Sequence, residues 1–254
     1  MNKPVFLTIA GSDPCGGAGI QADLKTADRL GCYGCSVVTA VTAQNSCGVS
    51  AIWPLKADRV EHQLMAILED IAPDAVKIGM IPDISIVKAV GRILRSFSVR
   101  NIVVDPLLAP SIGNSFSDDG LIAEMAESIF PIASLITPNL PELKTICGAL
   151  KKNETELGKA IFVKGGHSSD SLISDRLIIN EDEGLKNIIF SHPKIDTPNS
   201  HGSGCVLSSA IACGLAHGLT LEEAVGRGVD FVSDSLTDGK SRSFGKCGYG
   251  PTLF

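Results

Sequence analysis

The chain of 254 residues predicts an α/β fold, with a mostly parallel central sheet covered by helices on both faces. Three observations carry this. Short β-branched runs alternate with longer stretches whose apolar residues recur at helical spacing. The alternation repeats along most of the chain. Glycine-rich turns stand at the ends of several runs, where open α/β sheets hold ligands. No Pro/Gly/Ser linker divides the sequence, so one domain over residues 1–254 is expected. A domain of this size buries roughly 70–75% of its unfolded surface, enough for a core without cross-links.

Val5–Ala10 is an apolar stretch and predicts a buried strand. Ile20, Leu24, Ala27 and Leu30 follow at helical spacing, and Ser36–Val41 is the next strand. Val60, Leu64, Ile67, Leu68 and Ile71 mark a helix; Ala75–Ile78 is a strand; Ile86, Val90, Ile93 and Leu94 mark another helix. Ile102–Val104 is a strand ending in Asp105-Pro106, followed by a helix from Leu121 to Ile129 and a strand at Leu135–Thr137. Ile161–Lys164 is a further strand, and Leu177–Ile179 with Ile188–Phe190 predicts a hairpin across the turn-rich segment 180–186. Helices from Cys205 to His217 and from Leu221 to Leu236 close the pattern, with an irregular glycine-rich tail after Gly239.

Composition narrows the function classes. A formal net charge of -6 argues against a nucleic-acid footprint, which needs a basic face. No apolar run reaches the roughly 18 residues of a membrane helix. The first apolar stretch is too short for a signal-peptide core, so a cytoplasmic location is expected, with all eight cysteines as thiols. Cys32 and Cys35 form a CxxC, but no second Cys or His pair accompanies it to complete a metal site.

Several loops carry chemistry. The run from Ala10 to Asp23 joins a strand to a helix, and its glycines let backbone approach a ligand. Gly17-x-Gly19-x-x-Ala22 fits the dinucleotide fingerprint, yet the turn comes late after the strand and the next strand, around Val37–Val41, ends without the ribose-binding acid. No Gly-x4-Gly-Lys-Ser/Thr is present, so phosphate must be held elsewhere. Gly202-Ser203-Gly204-Cys205 precedes an apolar helix of small residues; its unpaired amides and the helix dipole make either an anion site or an ordinary turn capped by Ser203. Asp105 at a strand end could hold a cation or cap a turn. Asn139 and Glu142, three apart, could offer oxygen ligands to Mg²⁺ or start a helix. Lys164, before Gly165-Gly166, could meet phosphate or solvent.

Taken together, these loops resemble one family. IAGSDPCGGAGIQADLKT (Ile9–Thr26), TAVTAQNSCGV, DAVKIGM, Asp105-Pro106, LITPNLPE, VKGGH and HGSGC stand in the order found in hydroxymethylpyrimidine and hydroxymethylpyrimidine-phosphate kinases of thiamine biosynthesis, within the ribokinase-like superfamily. The ordered set spans Ile9 to Cys205 and is shared with the nearest pyridoxal-kinase relatives. The resemblance implies a three-layer α/β/α sandwich without a separate lid domain, a homodimer, and use of ATP and Mg²⁺. It places the substrate at Gly11, Asp23, Gln44 and Met80. Asn139 and Lys164 would serve the nucleotide, Glu142 and Asp105 the metal. Gly202, Ser203, Gly204 and Cys205 would form the catalytic anion hole, the two glycines also binding nucleotide, with Cys205 in the slot where sugar kinases carry a catalytic Asp. A helix N-terminus would lower the Cys205 thiol pKa and let it take the substrate proton. The implied activity is phosphorylation of 4-amino-5-hydroxymethyl-2-methylpyrimidine and its monophosphate. A pyridoxal or pyridoxine kinase, or a non-catalytic vitamin-binding relative, are the alternatives. The chain departs from the family at Ser111, where a Lys is usual, and at Ser203, where Thr is commoner.

Overall fold

The computed structural model describes residues 3–108, 119–166, 171–181 and 184–253. Ser111 and His167 lie outside the described residues. In chain order the elements are β1 (Val5–Ser12), α1 (Gly19–Arg29), β2 (Tyr33–Asn45), β3 (Gly48–Pro54), α2 (Ala57–Leu68), β4 (Ala75–Ile78), α3 (Ile84–Ser96), β5 (Ile102–Val104), α4 (Asp119–Ser128), β6 (Leu135–Ile136), α5 (Leu140–Leu150), β7 (Ala160–Val163), β8 (Leu172–Glu181), β9 (Gly184–Pro193), α6 (Ser203–Ala216) and α7 (Leu221–Gly239). All nine strands form one sheet in the order β3-β2-β1-β4-β5-β6-β7-β8-β9. From β2 to β7 the pairing is parallel, and β3, β8 and β9 add antiparallel edges.

Side-chain alternation along the strands divides the core in two. Leu7, Val76, Ile102, Val104 and Ile161 face a layer built from α2, α3, α4 and α5. Their neighbours Phe6, Ala75, Val103 and Phe162 face α6 and α7 on the other side. Helix α6 is buried around nearly its whole circumference, as a helix apolar on all sides should be. This is the expected α/β/α sandwich. The parallel strands point one way, so the loops after β1, β4, β5, β6 and β7 gather at one edge.

Strand β3 went unpredicted, and helix α5 was foreseen only as one of two readings of Asn139 and Glu142. Strand β3 carries Gly48, Ser50 and Pro54 and has no fully buried residue; its pairing with β2, from Asn45↔Gly48 to Ala40↔Pro54, supplies what propensity lacks. Helix α5 buries only Glu142, Leu143 and Ile146, too few apolar positions to announce it. Strands β8 and β9 also extend beyond the predicted hairpin, because a ten-pair antiparallel ladder carries their polar ends.

The expectation of eight free thiols is corrected at one pair. Cys47, in the turn between β2 and β3, is disulfide-bonded to Cys247 in the C-terminal segment, 200 residues away. The other six cysteines are free. Sequence spacing could not pair them, because the tail reaches the hairpin only through the tertiary fold. A cross-link over so long a loop removes much denatured-state entropy, conventionally about 2–4 kcal/mol. Reduction with dithiothreitol is therefore expected to lower Tm by roughly 5–10 °C. Scanning calorimetry with and without reductant checks it; coincident transitions would show that the bond contributes nothing.

Candidate active site

The edge where the parallel strands end opens into a cavity of about 780 Å³, within the range of small-molecule sites. Gly11, Gln44, Met80, Asp105, Asn139, Glu142, Lys164 and Gly202 to Cys205 all line it. The structure thus brings together every sequence-predicted site residue except Asp23.

At the floor is the start of α6. Gly202 is its N-cap with φ 78°, and a side chain there would run into the Gly17 carbonyl, so two glycine loops meet back to back. The first-turn amides are the candidate donors to an anion. Ser203 N–H donates to the Ser200 carbonyl at 3.2 Å, and Val206 N–H to Gly202 at 2.9 Å. Among the described residues, the amides of Gly204 and Cys205 have no backbone acceptor, so these two are the donors left for an anion.

Beside them lies an ion cluster. Lys164, just past β7, donates to Asp105 Oδ1 at 2.8 Å and stands 3.9 Å from Glu142 Oε2. Asn139 and Glu142 form a capping box at the start of α5: Glu142 N–H donates to Asn139 Oδ1, and Asn139 N–H to Glu142 Oε2, both at 2.8 Å. The helix-start reading is therefore realised, and the same carboxylate also faces Lys164. Burial pushes the Glu142 carboxyl above the usual carboxylate range; Lys164 opposes this and Asp105 adds to it. Burial alone would pull Lys164 down, but Asp105 and Glu142 reverse that and raise it. A methyl added at Gly204 would sit within 3.4 Å of both Lys164 Nζ and Asp105 Oδ2, so the ion cluster abuts the helix start.

Asp23 requires a correction. It is fully buried and does not line the cavity. Its oxygens accept from Thr8 at 2.6 Å, from Ser209 at 2.8 Å and from Lys77 Nζ at 2.9 Å, which spends its capacity inside the protein. The group that lines the cavity in its place is Lys77 of β4. Burial works against the Lys77 charge, but Asp23 more than compensates and holds its pKa above the ordinary lysine value. A signal for it was present: a lysine inside the four-residue run Ala75–Ile78, which is otherwise apolar, is almost never buried without a partner.

The thiol of Cys205 is also not as expected. Burial pushes it up to about 11; Lys77 pulls it down, while Asp23 and Asp105 push it up. The helix terminus is outweighed by desolvation, so the resting thiol holds its proton at neutral pH.

Part of the cavity wall is apolar. Met80 packs on Gly11, where any side chain would collide with its Cε, and Val49, Ile52 and Tyr249 add apolar wall. Gln44 on β2 reaches within 2.8 Å of Nε2 of His201, and that nitrogen stands 3.0 Å from Asp13 Oδ2. Asp13 also accepts from the backbone N–H groups of Cys15, Gly17 and Ala18, which shapes the first glycine loop. Reasoning from sequence missed His201, although it begins the HGSGC motif. It missed Tyr249 because nothing in an aperiodic tail announces a cavity wall.

Comparison with known proteins follows this geometry. A family model described as phosphomethylpyrimidine kinase matches residues 13–252. The hydroxymethylpyrimidine/phosphomethylpyrimidine kinase of Salmonella typhimurium is 39% identical, over 99% of this chain and 97% of its own. The crystal structure of phosphomethylpyrimidine kinase from Clostridium difficile 630 superposes with a TM-score of 0.77 at 36% identity, covering 92% of this chain and 100% of that one. The ADP complex of Bacillus subtilis pyridoxal kinase superposes with a TM-score of 0.87 at 30% identity, covering 99% and 97%.

Proposed function

The chain belongs to the phosphomethylpyrimidine kinase family, and from that premise we propose that it transfers the γ-phosphate of ATP to 4-amino-5-hydroxymethyl-2-methylpyrimidine and then to the monophosphate so formed. The observation that carries this is one cavity joining a ring-sized apolar pocket at Gly11, Gln44 and Met80 to an anion site at Gly204 and Cys205. The match to the family model and to the Salmonella enzyme favours the pyrimidine over pyridoxal. The presence of Asn139, Glu142, Lys164 and Gly202–Cys205 at one cavity weighs against a non-catalytic binding protein.

In the proposed reaction the hydroxymethyl oxygen attacks the γ-phosphorus in line, and ADP leaves. Phosphoryl transfer depends chiefly on positioning and charge neutralisation. The Gly204 and Cys205 amides donate to the oxygens on which charge develops. Lys164 and Lys77 supply positive charge from two sides. Cys205 accepts the hydroxyl proton only in its minor thiolate form, which arises when the thiol first loses its proton to solvent, so that the transfer returns the site to its resting S–H state. The carboxylates of Asp105 and Glu142, hard oxygen donors on one side of the cavity, fit Mg²⁺ brought in with the nucleotide. The metal would supply further neutralisation of the phosphates. Asn139 positions Glu142 through the capping box.

We place the enzyme in the cytoplasm, as a homodimer. No helix among the described residues is long and apolar enough to cross a membrane. The edge formed by β2 and β3 exposes Val41 and Trp53, an apolar pair suited to a second copy.

The test is an ATP-dependent assay with hydroxymethylpyrimidine and pyridoxal in parallel, products resolved by mass. Mono- and diphosphate of the pyrimidine are expected. Pyridoxal phosphate alone would keep the chemistry and change the substrate; product from neither would end the kinase reading.

A further inference from the structure

We infer that His201, itself pinned by Asp13, fixes which way the Gln44 side-chain amide faces, so that Gln44 presents a hydrogen-bond donor to a ring nitrogen of the substrate. This rests on the pyrimidine reading and assigns how that site reads its ring. The argument starts at Asp13. Its carboxylate accepts from the N–H groups of Cys15 at 2.8 Å, Gly17 at 3.0 Å and Ala18 at 2.8 Å. Burial would raise its pKa, but His201 together with the Cys15 and Ala18 amides holds it below the usual carboxylate range. Asp13 is therefore an acceptor only, and Nε2 of His201, 3.0 Å from its Oδ2, carries a hydrogen. This holds for the neutral ring and for imidazolium alike. Nδ1, buried without a hydrogen-bond partner, is satisfied no better in any other tautomer.

A glutamine amide has nearly the same shape in both orientations, so its partners decide which end faces which. As placed, the Gln44 amide nitrogen is 2.8 Å from His201 Nε2 and its oxygen 3.5 Å from Thr42 Oγ1, and the partners require these two ends to be exchanged. The single Thr42 hydroxyl hydrogen is committed to the Ser12 carbonyl at 3.0 Å, so Thr42 can only accept from Gln44. With the amide nitrogen toward His201, two donors would meet at one end and two acceptors at the other. With Oε1 toward His201, both contacts become hydrogen bonds: Nε2–H of His201 is shared between Asp13 and Gln44, and Gln44 Nε2 donates to Thr42. The amide's second hydrogen is then free for the cavity that Gln44 lines. His201 acts through Gln44 and is a positioning residue. Tyr249 packs on its ring with centroids 5.5 Å apart, and Gly17 lies so close that a side chain there would strike its Cδ2. The imidazole is thereby held from both sides.

The experiment compares kcat/KM for hydroxymethylpyrimidine with that for the two pyridine analogues that each replace one ring nitrogen by C–H. In the wild-type protein one analogue is expected to fall by about tenfold to a hundredfold, the loss of one buried hydrogen bond. In His201→Phe, which keeps a ring but has no N–H, and in Gln44→Glu, which has no donor, that ratio is expected to collapse below about threefold. His201→Gln restores an N–H and should restore the ratio. A purely structural role for His201 would raise KM for parent and analogue alike and leave the ratio untouched. An unchanged ratio in both variants, or no discrimination by the wild type, overturns the assignment. Absence of turnover of the parent pyrimidine by the wild type would instead overturn the functional reading beneath it.

Discussion

Replacing Cys205 with alanine is expected to lower kcat by about 10²–10⁴-fold, the usual reach of a proton acceptor, while KM for the pyrimidine changes little. The proposed ring contacts, Gly11, Gln44 and Met80, are left in place by the substitution. The distinguishing readout is the pH profile. A buried thiol at about 11 is almost wholly protonated at neutral pH, and its thiolate fraction rises about tenfold per pH unit up to that value. The wild-type rate should therefore climb between pH 7 and 9.5 and the variant's rate should stay flat. If Cys205→Ala keeps the wild-type rate and the same profile, the thiol has no part in the proton transfer, and positioning by the two free amides with the cations suffices.

Replacing Lys77 with methionine is expected to cost about 3–5 kcal/mol, a large part of the roughly 5–15 kcal/mol that holds an ordinary domain folded. The methionine fills the space, but Asp23 is left as a buried carboxylate whose remaining partners are the hydroxyls of Thr8 and Ser209. Removing both charges, in Lys77→Met/Asp23→Leu, should recover much of the loss, since a buried pair contributes little beyond its apolar replacement. Urea unfolding with a common m value would measure both. If the single and double variants lose the same stability, the cost comes from packing and not from the stranded charge.

The candidate site was readable in part because its residues cluster in sequence at strand ends. Gly202 to Cys205, Asn139 with Glu142, and Lys164 each sit in a short motif whose local geometry already implies an anion site or a cap. Asp23 was misread for a related reason. Its spacing in α1 does not tell which way the helix turns, and the helix turns it toward β4, where Lys77 waits. The Cys205 thiol was misjudged because a helix N-terminus is visible in sequence and the desolvation that outweighs it is not. His201 and Tyr249 meet at 5.5 Å from a motif and a tail that the sequence shows only as separate pieces.

The sequence by itself determined the layered α/β architecture, the order of most strands and helices, and the family. Those follow from hydrophobic period and local turn chemistry, which act over a few residues. The tertiary structure decided the edge strand β3, the Cys47–Cys247 bond, the burial of Asp23 with Lys77 and the proton held by Cys205. Each depends on groups far apart in the chain being brought together and removed from water. Pairing and desolvation of that kind are properties of the folded environment, which no local pattern encodes.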